Sequence, residues 1–190
     1  MELYAQDMFF RGDTEKEKVY DCCIHGKVIF KVGESILSDK TEWCVSASAY
    51  RFLHTLFKNH YMRAEEFLIS CCGHTMIPNE DKKSVNIIGC SNGIDFNIIH
   101  EQGNIIISTT NNIKYQVPFA DYKKAVLSFA KQVMDFYTSN PPREFEDDFD
   151  KDGYRCFATE LYALYDKAVA LVDDIPKINS ITFEDCDTCI

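Results

Sequence analysis

The chain has 190 residues, 46% hydrophobic and 26% charged, with a formal net charge of −10 at pH 7. It is long enough to bury a core without disulfide or metal staples, and no stretch approaches the roughly eighteen apolar residues of a spanning helix. The charge is lopsided: residues 141–190 hold 13 Asp+Glu against 5 Lys+Arg, and residues 1–140 hold 17 against 15. Such a field gathers cationic partners and repels nucleic acid and anionic membrane.

Met1 to Asp7 shows neither a basic nor an apolar leader region, so a cytoplasmic protein is expected. The nine cysteines make an odd count with two adjacent pairs, which reads as reduced, half-buried thiols rather than a disulfide framework. Residues 1–190 are expected to form a single domain with a loose tail at 175–190.

After a polar opening, Val19–Cys23 and Lys27–Val32 flank His25-Gly26 and predict a hairpin. A helix is expected from Ser46 or Ser48 as N-cap, with Ala49, Tyr50, Leu53, Leu56 and Phe57 at helical spacing to about Asn59. Five strands follow, at 67–71, 85–90, 94–100, 104–109 and 113–117. Asn92-Gly93, Gln102-Gly103 and Asn111-Asn112 between them suit tight turns. The alternation Ile94, Phe96, Ile98 and Ile113, Tyr115, Val117 marks one buried face, as in an antiparallel meander. Tyr122, Ala125, Val126, Phe129, Val133, Phe136 and Tyr137 then make a helical stripe that stops before Pro141-Pro142. A last stripe runs from Phe157 to Val172. Helices before and after a run of strands predict α+β: an antiparallel sheet of about five strands packed by about three helices.

Three constellations bear on chemistry. Cys22-Cys23-x-His25 and Cys71-Cys72-x-His74 echo each other and suggest zinc, though on a pleated strand each pair offers one sulfur to a given ion. Cys186-Asp187-Thr188-Cys189 has the knuckle spacing but sits at the chain end. Asp148-x-Asp150-x-Asp152-Gly153 opens like a calcium loop, but Arg155 and Thr159 stand where an apolar residue and a bidentate Glu belong. Cys44, before a helix, is a candidate nucleophile, with His54, His74 or His100 as base and Asp95 to orient it. Core thiols and turn histidines are the simpler account of the cysteines and histidines, and helix capping that of the aspartates, so no catalytic residue, metal or cofactor is assigned.

Residues 143–153 pack six carboxylates among two phenylalanines. Asp150 or Asp152 is expected to cap the last helix. A solvated linker accounts for a charge run, yet Phe145, Phe149 and Tyr154 are of more use to an interface with aromatic anchors in a charged rim. The expected partner-binding residues are Glu144, Glu146, Asp147, Asp148, Phe149, Asp150, Asp152 and Tyr154.

Residues 42–50 (Glu42-Trp43-Cys44-Val45-Ser46-Ala47-Ser48-Ala49-Tyr50), Cys71-Cys72-Gly73-His74, Asn92-Gly93-Ile94-Asp95-Phe96 and Asp152-Gly153-Tyr154 resemble stretches of small uncharacterised bacterial proteins. In size, acidity and α+β pattern the chain is also similar to immunity proteins of interbacterial toxin systems. That resemblance implies an inhibitor whose partner is a basic toxin domain, such as a nuclease, with no catalytic residues to carry over. The competing expectation is a thiol-dependent or zinc enzyme built on Cys44 or the Cys72/His74 region, with His100 nearby.

Overall fold

A computed structural model describes residues 1–62 and 66–172. The expected tail at 175–190, with Cys186 and Cys189, lies outside the described residues.

The fold is α+β. Strand β1 (Glu2–Phe9) runs antiparallel to β2 (His25–Val32), Glu2 facing Lys31 and Gln6 facing Lys27. Between them α1 (Glu15–Lys18) is one helical turn closed by a capping box: the Thr14 hydroxyl accepts from the Glu17 N–H and Glu17 reaches back. β3 (Ser35–Ser38) returns along β2 across Gly33, whose φ of 58° favours glycine. β4 (Glu42–Cys44) pairs with the first residues of β2. The hairpin expected between 19–23 and 27–32 does not form. At 19–23 the Asp21 carboxylate instead accepts from the N–H groups of Arg11 (2.7 Å) and Cys23 (3.0 Å), a local knot that replaces a ladder.

Helix α2 (Val45–His54) starts one residue before the first expected cap. Ser46 and Ser48 lie inside its first turn and bond elsewhere. Ser46 Oγ accepts from the Ile24 N–H at 3.2 Å, and Ser48 Oγ donates to the Cys44 carbonyl at 2.8 Å.

The middle strands divide. β5 (Ile69–Ser70) pairs with β8 (Gly93–Ile94), and β6 (Thr75–Pro78) pairs with β7 (Val85–Ile88). β9 (Asn97–Glu101), β10 (Asn104–Ser108) and β11 (Lys114–Pro118) form the expected meander. Gln102 and Gly103 turn the first hairpin with φ of 45° and 86°, and Asn112 the second at 59°. Asn92-Gly93 turns no hairpin, because Gly93 begins β8 and pairs with Ser70. Among the described residues the strands therefore fall into one four-stranded, one three-stranded and two two-stranded sheets, not one sheet of about five.

Helix α3 (Phe119–Ser139) packs on β1, β10 and β11, and α4 (Asp148–Val169) packs on β6 and β7. The α3 stripe buries Phe119, Tyr122, Val126, Phe129 and Val133, and Gln132 accepts from the Ala5 N–H of β1 at 2.8 Å. Phe30, Phe52, Phe96 and Phe129 meet edge-on at the centre of the core, with centroids 5.3–6.1 Å apart. Helix α4 begins nine residues before the predicted stripe. Gly153 within it lies so close to the Met76 carbonyl of β6 that a Cβ there would collide with the backbone.

Candidate functional site

The acidic segment is the start of a helix. Asp147 is the N-cap of α4, its carboxylate accepting from the Asp150 N–H at 2.8 Å. The expected caps, Asp150 and Asp152, lie within the helix. The calcium-loop reading ends here too, because helical backbone puts Asp148 and Asp152 on one face and Asp150 on the other. The helix end accounts for Asp147 and favours Asp148 and Asp150 through its positive pole. It does not account for Glu144 and Glu146, which lie upstream.

What holds this segment is a set of contacts from its own ends. The Glu144 N–H donates to the Val19 carbonyl at 2.9 Å. Arg143 Nη1 donates to the Lys18 carbonyl at 2.7 Å, and its guanidinium lies 3.7 Å above the Phe10 ring. Phe145 turns inward onto Tyr154, which packs in turn against Tyr137 and Phe157, with centroids 5.5–6.2 Å apart. These two aromatics fasten the segment and offer little outward surface.

The side chains left outside are Glu144, Glu146, Asp147, Asp148, Asp150 and Phe149, the last 52% exposed. Asp152 is partly covered and committed to Lys82 at 2.7 Å, which holds its carboxyl below the usual range. Lys151 stands 3.7 Å from Asp148, a loose exposed pair. A residue the sequence reading missed completes the surface. Tyr20 is 40% exposed, and the Glu144 carboxylate beside its hydroxyl pushes the tyrosine pKa up. Asp150 faces the same loop. Burial first, and the Asp150 charge second, push the Cys22 thiol up to about 12. Tyr20 gives no local signal in the sequence, because 123 residues separate it from Arg143 and only the fold joins them.

Set against this surface, the nucleophile reading fails on access. Cys44 is 0% exposed. The neighbouring Cys23 thiol lowers its pKa against the opposing effect of burial, and the Cys44 sulfur lies 3.6 Å from the Ser46 hydroxyl. None of the three candidate bases partners it. His54 Nε2 lies 3.5 Å from Glu160, and His100 Nε2 bonds the Thr55 carbonyl at 2.7 Å. His74 is exposed. The proposed orienting carboxylate, Asp95, pairs with His60 at 2.8 Å. The histidine across the ladder from Cys44 is His25, which bonds Asp21 at 3.2 Å, in the buried interior.

A cleft of about 320 Å³ lies between α2, β7 and α4, lined by Tyr50, Arg51, His54 and Glu160 among others. Tyr50, Arg51 and Glu160 are spent on the protein itself. Glu160 accepts from the Tyr50 hydroxyl at 2.6 Å and the Val85 N–H at 2.9 Å, and Arg51 donates to the carbonyls of Phe67 and Ile87. This is a buried polar knot joining three elements.

The chain matches no family model, no curated protein and no solved structure. Among the described residues, no helix is long and apolar enough to cross a membrane.

Proposed function

We propose that the protein is an acidic binding module that inhibits a basic partner, acting as an immunity protein over the active site of a bacterial toxin such as a nuclease. The observation that carries this reading is the pairing of outward Phe149 and Tyr20 with Glu144, Glu146, Asp148 and Asp150 on backbone pinned at both ends. A hydrated linker would need neither the pins nor the exposed rings. Carboxylates fixed in this way speed encounter with a cationic cleft and stand in for substrate phosphates, while the rings slow dissociation once desolvated. The partner would be cytoplasmic or enter the cytoplasm, and neither nucleic acid nor membrane suits a surface of this charge.

The test is capture of the partner from the native host, followed by binding kinetics with the purified pair. The quadruple variant E144Q/E146Q/D148N/D150N leaves the Asp147 cap and the Lys82–Asp152 pair intact, so the fold is kept. Its association rate is expected to fall about tenfold or more at low salt and to lose most of its salt dependence. F149A is expected to raise the dissociation rate instead. Unaltered kinetics in both variants would refute this surface as the binding site.

A further inference from the structure

Cys71 and Cys72 follow β5, and Cys90 lies on the link from β7 to β8. Because β8 runs antiparallel beside β5, with the Cys71 N–H donating to the Asn92 carbonyl at 3.1 Å, the link brings Cys90 back beside Cys71. The strand ends at Ser70, so Cys71 and Cys72 escape the pleat that would send their side chains to opposite faces. The expectation that this pair offers one sulfur to an ion is overturned. All three sulfurs lie within 4.8 Å of one another. Cys71 Sγ is 2.8 Å from Cys90 Sγ, and the Cys90 N–H donates to Cys72 Sγ at 2.9 Å. Gly89 makes the approach feasible, since a Cβ there would stand 3.0 Å from the Cys72 carbonyl oxygen. Neither His74 nor the 22–25 segment joins the group; among the described residues, these are the three side chains so placed.

We propose that Cys71, Cys72 and Cys90 bind one thiophilic divalent cation of the zinc class as three thiolates, with water in the fourth position. Three thiolates are a soft donor set that selects zinc-like ions over magnesium or calcium. Zinc–sulfur bonds of about 2.3 Å place the sulfurs of a tetrahedral site about 3.8 Å apart. To reach this the Cys71–Cys90 contact of 2.8 Å has to open by about 1 Å, and no pair of the three sulfurs exceeds 4.8 Å. Cys90 is exposed and free to swing outward. The Cys90 main-chain N–H fixes where Cys72 Sγ stands within the group. Binding displaces the thiol protons to solvent. The site shares no residue with the acidic surface and stands or falls separately from it.

The test is titration of the full-length protein, reduced and freed of metal, with Zn²⁺ alone and with Cd²⁺ as a spectroscopic substitute. The expected result is one equivalent of Zn²⁺ retained through gel filtration, and a Cd²⁺–thiolate charge-transfer band that saturates at one equivalent. C90S alters an exposed side chain, so the fold persists, and is expected to weaken Zn²⁺ binding about tenfold or more. C72S is expected to do the same, whereas C186S/C189S keeps full binding. Wild-type protein that holds no Zn²⁺ overturns the proposal. So does binding that survives C90S and C72S, or that is lost only in C186S/C189S. A Cys71–Cys90 disulfide in the protein as isolated, seen as a linked peptide pair, together with no Zn²⁺ uptake once it has been reduced, overturns it as well.

Discussion

The Glu144 N–H donates to the Val19 carbonyl at 2.9 Å, so one main-chain bond closes the acidic segment onto the loop that carries Tyr20. Beside it Arg143 reaches the Lys18 carbonyl and covers Phe10. Two segments far apart in the chain become one surface there, and the neighbouring carboxylates are left pointing out.

Arg143 is therefore expected to support stability although it lies in a charge run. R143A removes a charged hydrogen bond to a carbonyl and a cation over a ring, a loss of about 1–3 kcal/mol. R143K is expected to recover only part, because an ammonium lacks the planar fork. Urea unfolding measures both. A loss under about 0.5 kcal/mol for R143A would show that the Glu144–Val19 bond and the aromatic contacts hold the segment without it.

Gly153 makes the opposite prediction from its helix propensity. Alanine in a helix interior normally gains about 1 kcal/mol over glycine. Here the added methyl meets the Met76 backbone carbonyl, which cannot rotate aside. G153A is expected to destabilise by about 1–3 kcal/mol as α4 is pushed off β6. Any gain in the denaturation midpoint would contradict the close packing of α4 on β6.

His54 sets a pH dependence. Burial lowers its pKa to about 4, against an ordinary value near 6.5, and the Glu160 carboxylate already shared by Tyr50 and Val85 does not reverse this. Between these values the unfolded chain takes a proton that the folded chain refuses. Stability is thus complete above about pH 6.5 and falls as the pH drops toward 4. Asp152, lowered by Lys82, acts only below its ordinary 3.8, in a separate window. Unfolding free energies from pH 7 to 4 measure the slope, which H54Q is expected to flatten. An identical slope in H54Q would assign it to another group.

The sequence by itself determined what depends on neighbours within a few residues. The turns at Gln102-Gly103 and Asn111-Asn112 need positive φ, and the strands beside them alternate, so β9, β10 and β11 follow from local chemistry. The α3 stripe is legible for the same reason, since one face repeats every 3.6 residues. Tertiary structure decided the rest. β1 carries little alternation and becomes a strand because β2 pairs with it across the core. Asp148 to Lys151 look like a hydrated run, yet they become the first turn of α4 once Asp147 caps it and Gly153 docks on β6. Cys90 joins Cys71 and Cys72 only through the β5–β8 pairing, and Tyr20 joins Glu144 only through the fold. Contacts between distant segments have no period and no spacing, because their free energy comes from burial and from bonds that exist only after the chain has closed.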